Sequence, residues 1–138
     1  MFLYVSLCKP TQAFNDIERA TILTATVSVG ENANSSTESD IAVQDKIFIL
    51  NEIEVDKYFT SSGERICQVT DYAVAHGAGV SGINGNCYWM LRSTNYNSVR
   101  SRTDVCGVDD YGCIGSSLCA VDSYFGAIRP VMWIGLDP

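Results

Sequence analysis

Six cysteines, one histidine and sixteen carboxylates are the side chains of this 138-residue chain with reactive or ligating chemistry. The cysteines are Cys8, Cys67, Cys87, Cys106, Cys113 and Cys119. No CxxC occurs, and His76 alone cannot complete a two-His zinc set, so the spacing argues against a zinc knuckle. Two roles remain, small core hydrophobes and disulfides, for which six paired cysteines allow about 15 connectivities. Cys67 and Cys87 flank a helix and a glycine-rich loop, and are expected to lie close in space. The Gly/Ser-rich stretch 106–119 could also be stapled by a short bridge. A nucleophilic thiol would need His76 near Cys67 or Cys87. The structural expectation for His76 is the end of a short helix, against exposed carbonyls.

Asp104, Asp109, Asp110 and Asp122 fall in a loop-rich second half, where carboxylates and carbonyls could hold Ca²⁺. Their spacing departs from the EF-hand rule. The reading is therefore turn aspartates bonding their own backbone and no cofactor, with Ca²⁺ as the alternative. Tyr96, Tyr111 and Tyr124 stand in polar surroundings and are the candidate ligand-binding residues, since exposed tyrosines give contact area at low entropic cost. Trp89, in an apolar strand, belongs to the core. Arg92 and Arg129 end two apolar strands and are expected to pair in bidentate fashion with Asp71 or Asp104. Arg129 precedes Pro130, which biases its backbone extended, as suits a structural clamp. No GxGxxG, Walker loop, HExxH or GxSxG occurs.

The elements that must position these residues read as follows. Residues 2–7 form an apolar run suited to a first strand. Asn15 with Glu18 forms a capping box for a helix whose apolar side is Ile17, Ala20, Ile22 and Leu23. Thr24 to Val29 turns β-branched and extended, and 30–40 is a polar loop carrying the sequon Asn34-Ser35-Ser36. Lys46 to Leu50 predicts a central strand covered on both faces. Asn51 with Glu54 caps a second helix, which turns Ile53, Tyr58 and Phe59 to the core. A polar turn at Thr60 to Glu64 follows. Thr70 caps a third helix, Asp71 to His76, with Asp71 favourable in its first turn and Gly77 ending it. Asn84-Gly85 signals a turn. Strands are then expected at Tyr88–Leu91, around Val99, at Val105–Val108, Cys113–Ile114 and Leu118–Val121, and at Val131–Ile134, with Pro130 at a strand start or edge. Helices gather in the first half and strands in the second, an α+β pattern of short helices on a mostly antiparallel twisted sheet. No repeat or domain boundary interrupts it.

The balance of nine Lys and Arg against sixteen Asp and Glu gives a net charge of -7. A nucleic-acid binder that works through backbone phosphates needs clustered cations, so that class is set aside. Apolar residues make up 46% of the chain, enough for a core, yet no run of about 18 of them exists to span a membrane. The N-terminus lacks the positive region of a signal peptide.

Asp45-Lys46-Ile47-Phe48-Ile49-Leu50 leads to Glu54 and Tyr58-Phe59, then Arg65, Thr70-Asp71-Tyr72-Ala73 and Gly77. Cys87-Tyr88-Trp89-Met90-Leu91-Arg92-Ser93 and Ile128-Arg129-Pro130-Val131 complete the series. This ordered set, over roughly residues 14–136, resembles the bacterial family of unknown function DUF6273. Members show a "DKVFLLS" strand, a helix ending in "YF", a "T-x-YA" helix, a "WWLRS" strand and a closing "VRPAL". Here Asn51 stands for the usual Ser, Tyr88 and Met90 blur the aromatic pair, and Thr94-Asn95 replaces Pro-Gly. Members also tend to have strands before the first helix, where this chain has only 1–13, as a truncated domain would.

The resemblance implies a single domain with a C-type-lectin-like organisation, akin to the formylglycine-generating group. It also implies a place in secreted or surface proteins of gut Firmicutes. The function expected is a noncatalytic module that binds a glycan or a protein, without nucleic acid or membrane insertion. The alternatives are a cysteine-dependent or other loop-sited enzyme on the same fold, and an intracellular setting should the thiols prove reduced.

Overall fold

The computed structural model describes residues 14–29, 41–81, 84–94, 104–115, 119–120 and 126–135. Outside them lie the expected strand at 2–7, the loop 30–40 with its sequon, the strand around Val99, and the residues Tyr96, Asp122 and Tyr124.

Helix α1, Asp16–Thr21, opens on the Asn15–Glu18 capping box. It buries none of its residues; Ile17 is 80% exposed, contrary to the expected apolar side, and burial begins only at Ile22 beyond its end. Strand β1, Ile22–Leu23, pairs antiparallel with the last strand, β8, Trp133–Ile134. β2, Ala25–Val29, and β3, Ile41–Asp45, form an antiparallel ribbon.

Lys46–Leu50 is not the central strand that its apolar run predicts. Phe48 alone makes a bridge, to Val131, with reciprocal bonds of 3.0 and 2.8 Å. The carbonyls of Ile49 and Leu50 instead accept from Arg92, through its Nη1 and its backbone N–H. A side chain thus occupies a place where a neighbouring strand would pair.

Helix α2, Glu52–Tyr58, starts at the second capping box, in which Asn51 and Glu54 exchange bonds of 2.7 and 2.9 Å. Val55 and Phe59 enter the core, whereas Ile53 is 44% exposed, a correction to the core face expected for it. The polar turn after it contains a further short helix, α3, Ser62–Arg65. Helix α4, Asp71–Ala75, follows its Thr70 cap, whose hydroxyl accepts from the Ala73 N–H.

β4, Trp89–Thr94, β5, Asp104–Val108, β6, Cys119–Ala120, and β7, Ala127–Ile128, make the largest sheet, ordered β6-β5-β4-β7. β5 and β6 pair antiparallel, but β4 and β7 run parallel, with Trp89 opposite Ala127. The main core joins Leu50, Val55 and Phe59 to Trp89, Leu91, Val108 and Val131, together with Cys67, Cys87 and Cys106. Trp133 meets Tyr58 edge to face at 5.6 Å and ties the β1–β8 pair to α2. The architecture is mixed α and β, with small, mainly antiparallel sheets and short helices. Among the described residues no helix is long and apolar enough to cross a membrane.

Candidate functional site

Two extended strips build the floor of the site. Cys67–Val69 runs antiparallel to Gly85–Cys87, with Gln68 bridged to Asn86. The Cys87 N–H donates to Cys67 O at 2.8 Å, and the Val69 N–H to Gly85 O at 3.1 Å. Between the strips the chain goes out through α4 and comes back at Asn84-Gly85, both with positive φ (52° and 75°). Alternation along extended backbone puts Gln68 and Asn86 on one face and the cysteines on the other. The cysteine face enters the core. The other face floors a cavity of about 550 Å³, lined by Gly63, Ile66, Gln68, Val69, Thr70 and Asn86.

A second concavity, of about 230 Å³, is lined by Gly79, Val80, Ser81, Tyr88 and Asp110. Asn86, of the first, is bonded to two residues of the second. Its Nδ2 donates to Asp110 O at 3.0 Å, and its backbone carbonyl accepts from the Ser81 N–H at 2.8 Å. The Ser81 hydroxyl donates to the Asp110 carboxylate. Gln68 Nε2 donates to Asn84 O at 3.1 Å. Both floor amides are thus held by their nitrogens, which leaves the oxygens as their remaining acceptors.

Glycines set two walls. A Cβ at Gly107 would stand 2.2 Å from the Tyr88 hydroxyl oxygen, so this glycine makes room for the Tyr88 ring. Gly112 has φ +80°, and a Cβ there would stand 1.9 Å from Ser62 O. Only glycine brings the 109–113 turn so close to α3. Asp109 shapes that turn by accepting from the N–H groups of Tyr111 and Cys113 at 2.9 and 2.8 Å. Tyr111 follows Asp110, of the second concavity, in this same turn. It is 60% exposed.

Arg92 pairs with Glu54 rather than Asp71, and the side chain of Asp104 lies outside the described residues. The Arg92 guanidinium grips Glu54 and donates to Ser28 O and Ile49 O, because β4 lies against the start of α2. Arg129 lies over the rings of Phe59 and Trp89, at 4.7 and 5.0 Å, and donates to Arg65 O at 3.2 Å. These ring contacts form a cation–π clamp. Trp89 is fully buried, with Nε1 donating to that same carbonyl at 3.0 Å. Asp71 is exposed in the first turn of α4. His76, also exposed, stacks on Tyr72 with Nδ1 2.9 Å from Tyr72 O. Cys67 and Cys87 lie side by side, with Cys87 Sγ donating to Cys67 O at 3.3 Å. Hydrogen bonding to Cys67 and burial push the Cys87 thiol up. Burial, aided by the Glu52 carboxylate, pushes Cys106 up to about 11. An activated nucleophile needs the opposite, a lowered pKa and access. Among the described residues no three His, Cys, Asp or Glu side chains cluster as a metal site would require.

Of the three candidate tyrosines, only Tyr111 falls within the described residues. Sequence reasoning did not single out Gln68, Ser81 or Asn86, since neutral polar residues carry no spacing signature. The nearest signal is the Asn84-Gly85 turn, which delivers Asn86 to the floor.

The family described as "Domain of unknown function (DUF6273)" matches residues 9–136. The chain is a member of the DUF6273 family. Comparisons with curated proteins and with solved structures returned no match. In this DUF6273 chain the matched span includes all of the groove and the core beneath it.

Proposed function

We propose that this DUF6273 chain is a single-domain, noncatalytic recognition module of C-type-lectin-like organisation, working as part of a bacterial surface or secreted protein, and that its groove binds a glycan. The observation that carries this reading is the pair of concavities, the first floored by Gln68 and Asn86 and the second lined by Ser81 and Asp110, with the exposed Tyr111 next to Asp110 in the chain. Amide and hydroxyl groups both donate and accept, as sugar hydroxyls do. Here the two floor amides are anchored by bonds to backbone carbonyls and the Ser81 hydroxyl by the Asp110 carboxylate, so little ordering remains to be done on binding. The negative face of an exposed tyrosine suits the C–H face of a sugar ring. A protein loop is the second ligand class for the same surface. A thiol enzyme that uses Cys87 or Cys106 is the reading that this geometry supports least, given their burial and raised pKa.

The test is a glycan array probed with the labelled chain, followed by the same array with Gln68→Ala/Tyr111→Ala. Glycan signals that vanish in the variant support the reading. An array without signal, together with capture of a purified protein ligand abolished by the same substitutions, moves the function to protein recognition.

A further inference from the structure

We propose that Cys67 and Cys87 are a disulfide-forming pair that, on reaction with a small-molecule disulfide such as oxidised glutathione, cross-links the two strips beneath the groove. Three observations converge on it. The Cys87 N–H donates to Cys67 O, and the neighbouring Gln68–Asn86 bridge fixes the register, so the cysteines stand directly opposite each other. Opposed residues at a hydrogen-bonded position of an antiparallel ladder have Cα atoms about 5.5 Å apart. That lies within the roughly 4.4–6.8 Å which a disulfide spans. Opposed residues also point to the same face, and here that face is the core: Cys67 is 5% and Cys87 1% exposed. Finally, Cys87 Sγ already reaches Cys67, donating to its backbone O at 3.3 Å.

The chemistry is an exchange in two steps. One cysteine thiolate attacks the oxidant's S–S bond, forming a mixed disulfide and releasing one small thiol. The other cysteine then displaces the second small thiol as the protein disulfide closes. Two protein thiols lose two protons and two electrons, and the oxidant's two sulfurs leave as two thiols. Burial keeps both thiols from the oxidant in the folded chain, so the bond forms while the chain folds. It joins residues 20 positions apart and encloses α4 and the Asn84-Gly85 turn, together with Gln68 and Asn86 of the groove floor. The cross-link forms whether or not the groove binds a glycan, so the two tests fail separately.

The experiment refolds the reduced, denatured chain in a glutathione redox buffer, traps thiols with N-ethylmaleimide in acid, and maps the peptides without reduction. The expected product links the Cys67 peptide to the Cys87 peptide. Its Tm exceeds that of the same chain refolded in reductant by about 10 °C. The Cys67→Ala/Cys87→Ala chain should show no such reductant-dependent difference. A chain that regains buried Trp89 fluorescence with both cysteines alkylated, or with either linked to another cysteine, overturns the proposal. Because the main readout uses the unaltered sequence, a variant that fails to fold leaves the result decisive.

Discussion

Arg92 holds Glu54 through two nitrogens at once, Nη1 to Oε2 at 2.6 Å and Nη2 to Oε1 at 2.9 Å. The same carboxylate accepts from the Asn51 N–H, and the same guanidinium reaches Ser28 O and Ile49 O. One ion pair thus joins the β2 ribbon, the start of α2 and strand β4. Removing one partner from a buried pair leaves the other uncompensated. Arg92→Ala should lower stability by about 3–5 kcal/mol, read from urea denaturation. Arg92→Lys should recover only part, because an ammonium cannot form the bidentate fork.

The two capping boxes offer a comparison with its own control. Asn51 is buried at 2%, whereas Asn15 opens a helix that buries nothing. Asn51→Ala should fall at or above the top of the capping range, about 2 kcal/mol, and Asn15→Ala near its lower end, about 0.5 kcal/mol. Equal losses in chemical denaturation would show that burial of Asn51 adds nothing.

Trp89 separates packing from hydrogen bonding. Trp89→Phe keeps most of the ring but removes one of the two donors to Arg65 O, and should cost about 0.5–1.5 kcal/mol. Trp89→Ala also opens a cavity between Phe59 and Arg129, and should cost about 3–5 kcal/mol. Thermal or denaturant unfolding of both variants measures the difference.

Alkaline pH should destabilise the reduced protein. The folded state holds Cys106 at about 11 and pushes Cys87 up, from an ordinary value of 9.0 for each. Above pH 9 the unfolded chain ionises these thiols while the folded chain keeps them neutral, so stability drains as pH rises from 9 towards 11. Below 9 their contribution is fully present. Urea midpoints in reductant should therefore fall across this window, and fall less in Cys87→Ala/Cys106→Ala.

Local devices were legible in the sequence because each acts within a few residues. Asn15, Asn51 and Thr70 cap as expected, since a cap needs only an N–H three positions on. Trp89 is in the core, as an apolar strand demands. Long-range choices were not legible. Glu54 lies 38 positions from Arg92 and already had a local role in its capping box, so nothing marked it as an ion-pair partner. The two-residue β7 is too short to declare a parallel neighbour for β4. The 46–50 run has strand composition, but Phe48 makes a single bridge to Val131 and the carbonyls of Ile49 and Leu50 are taken by Arg92. The groove was the least visible, because Gln68 and Asn86 become a floor only through the pairing of their strips.

The most direct test of the recognition account is a calorimetric titration, with wild type and Gln68→Ala/Tyr111→Ala, of the glycan that gives the strongest array signal. The variant should bind at least about tenfold more weakly, a loss of about 1.4 kcal/mol, with its unfolding midpoint unchanged. Equal affinity in the two proteins would contradict a binding site in this groove.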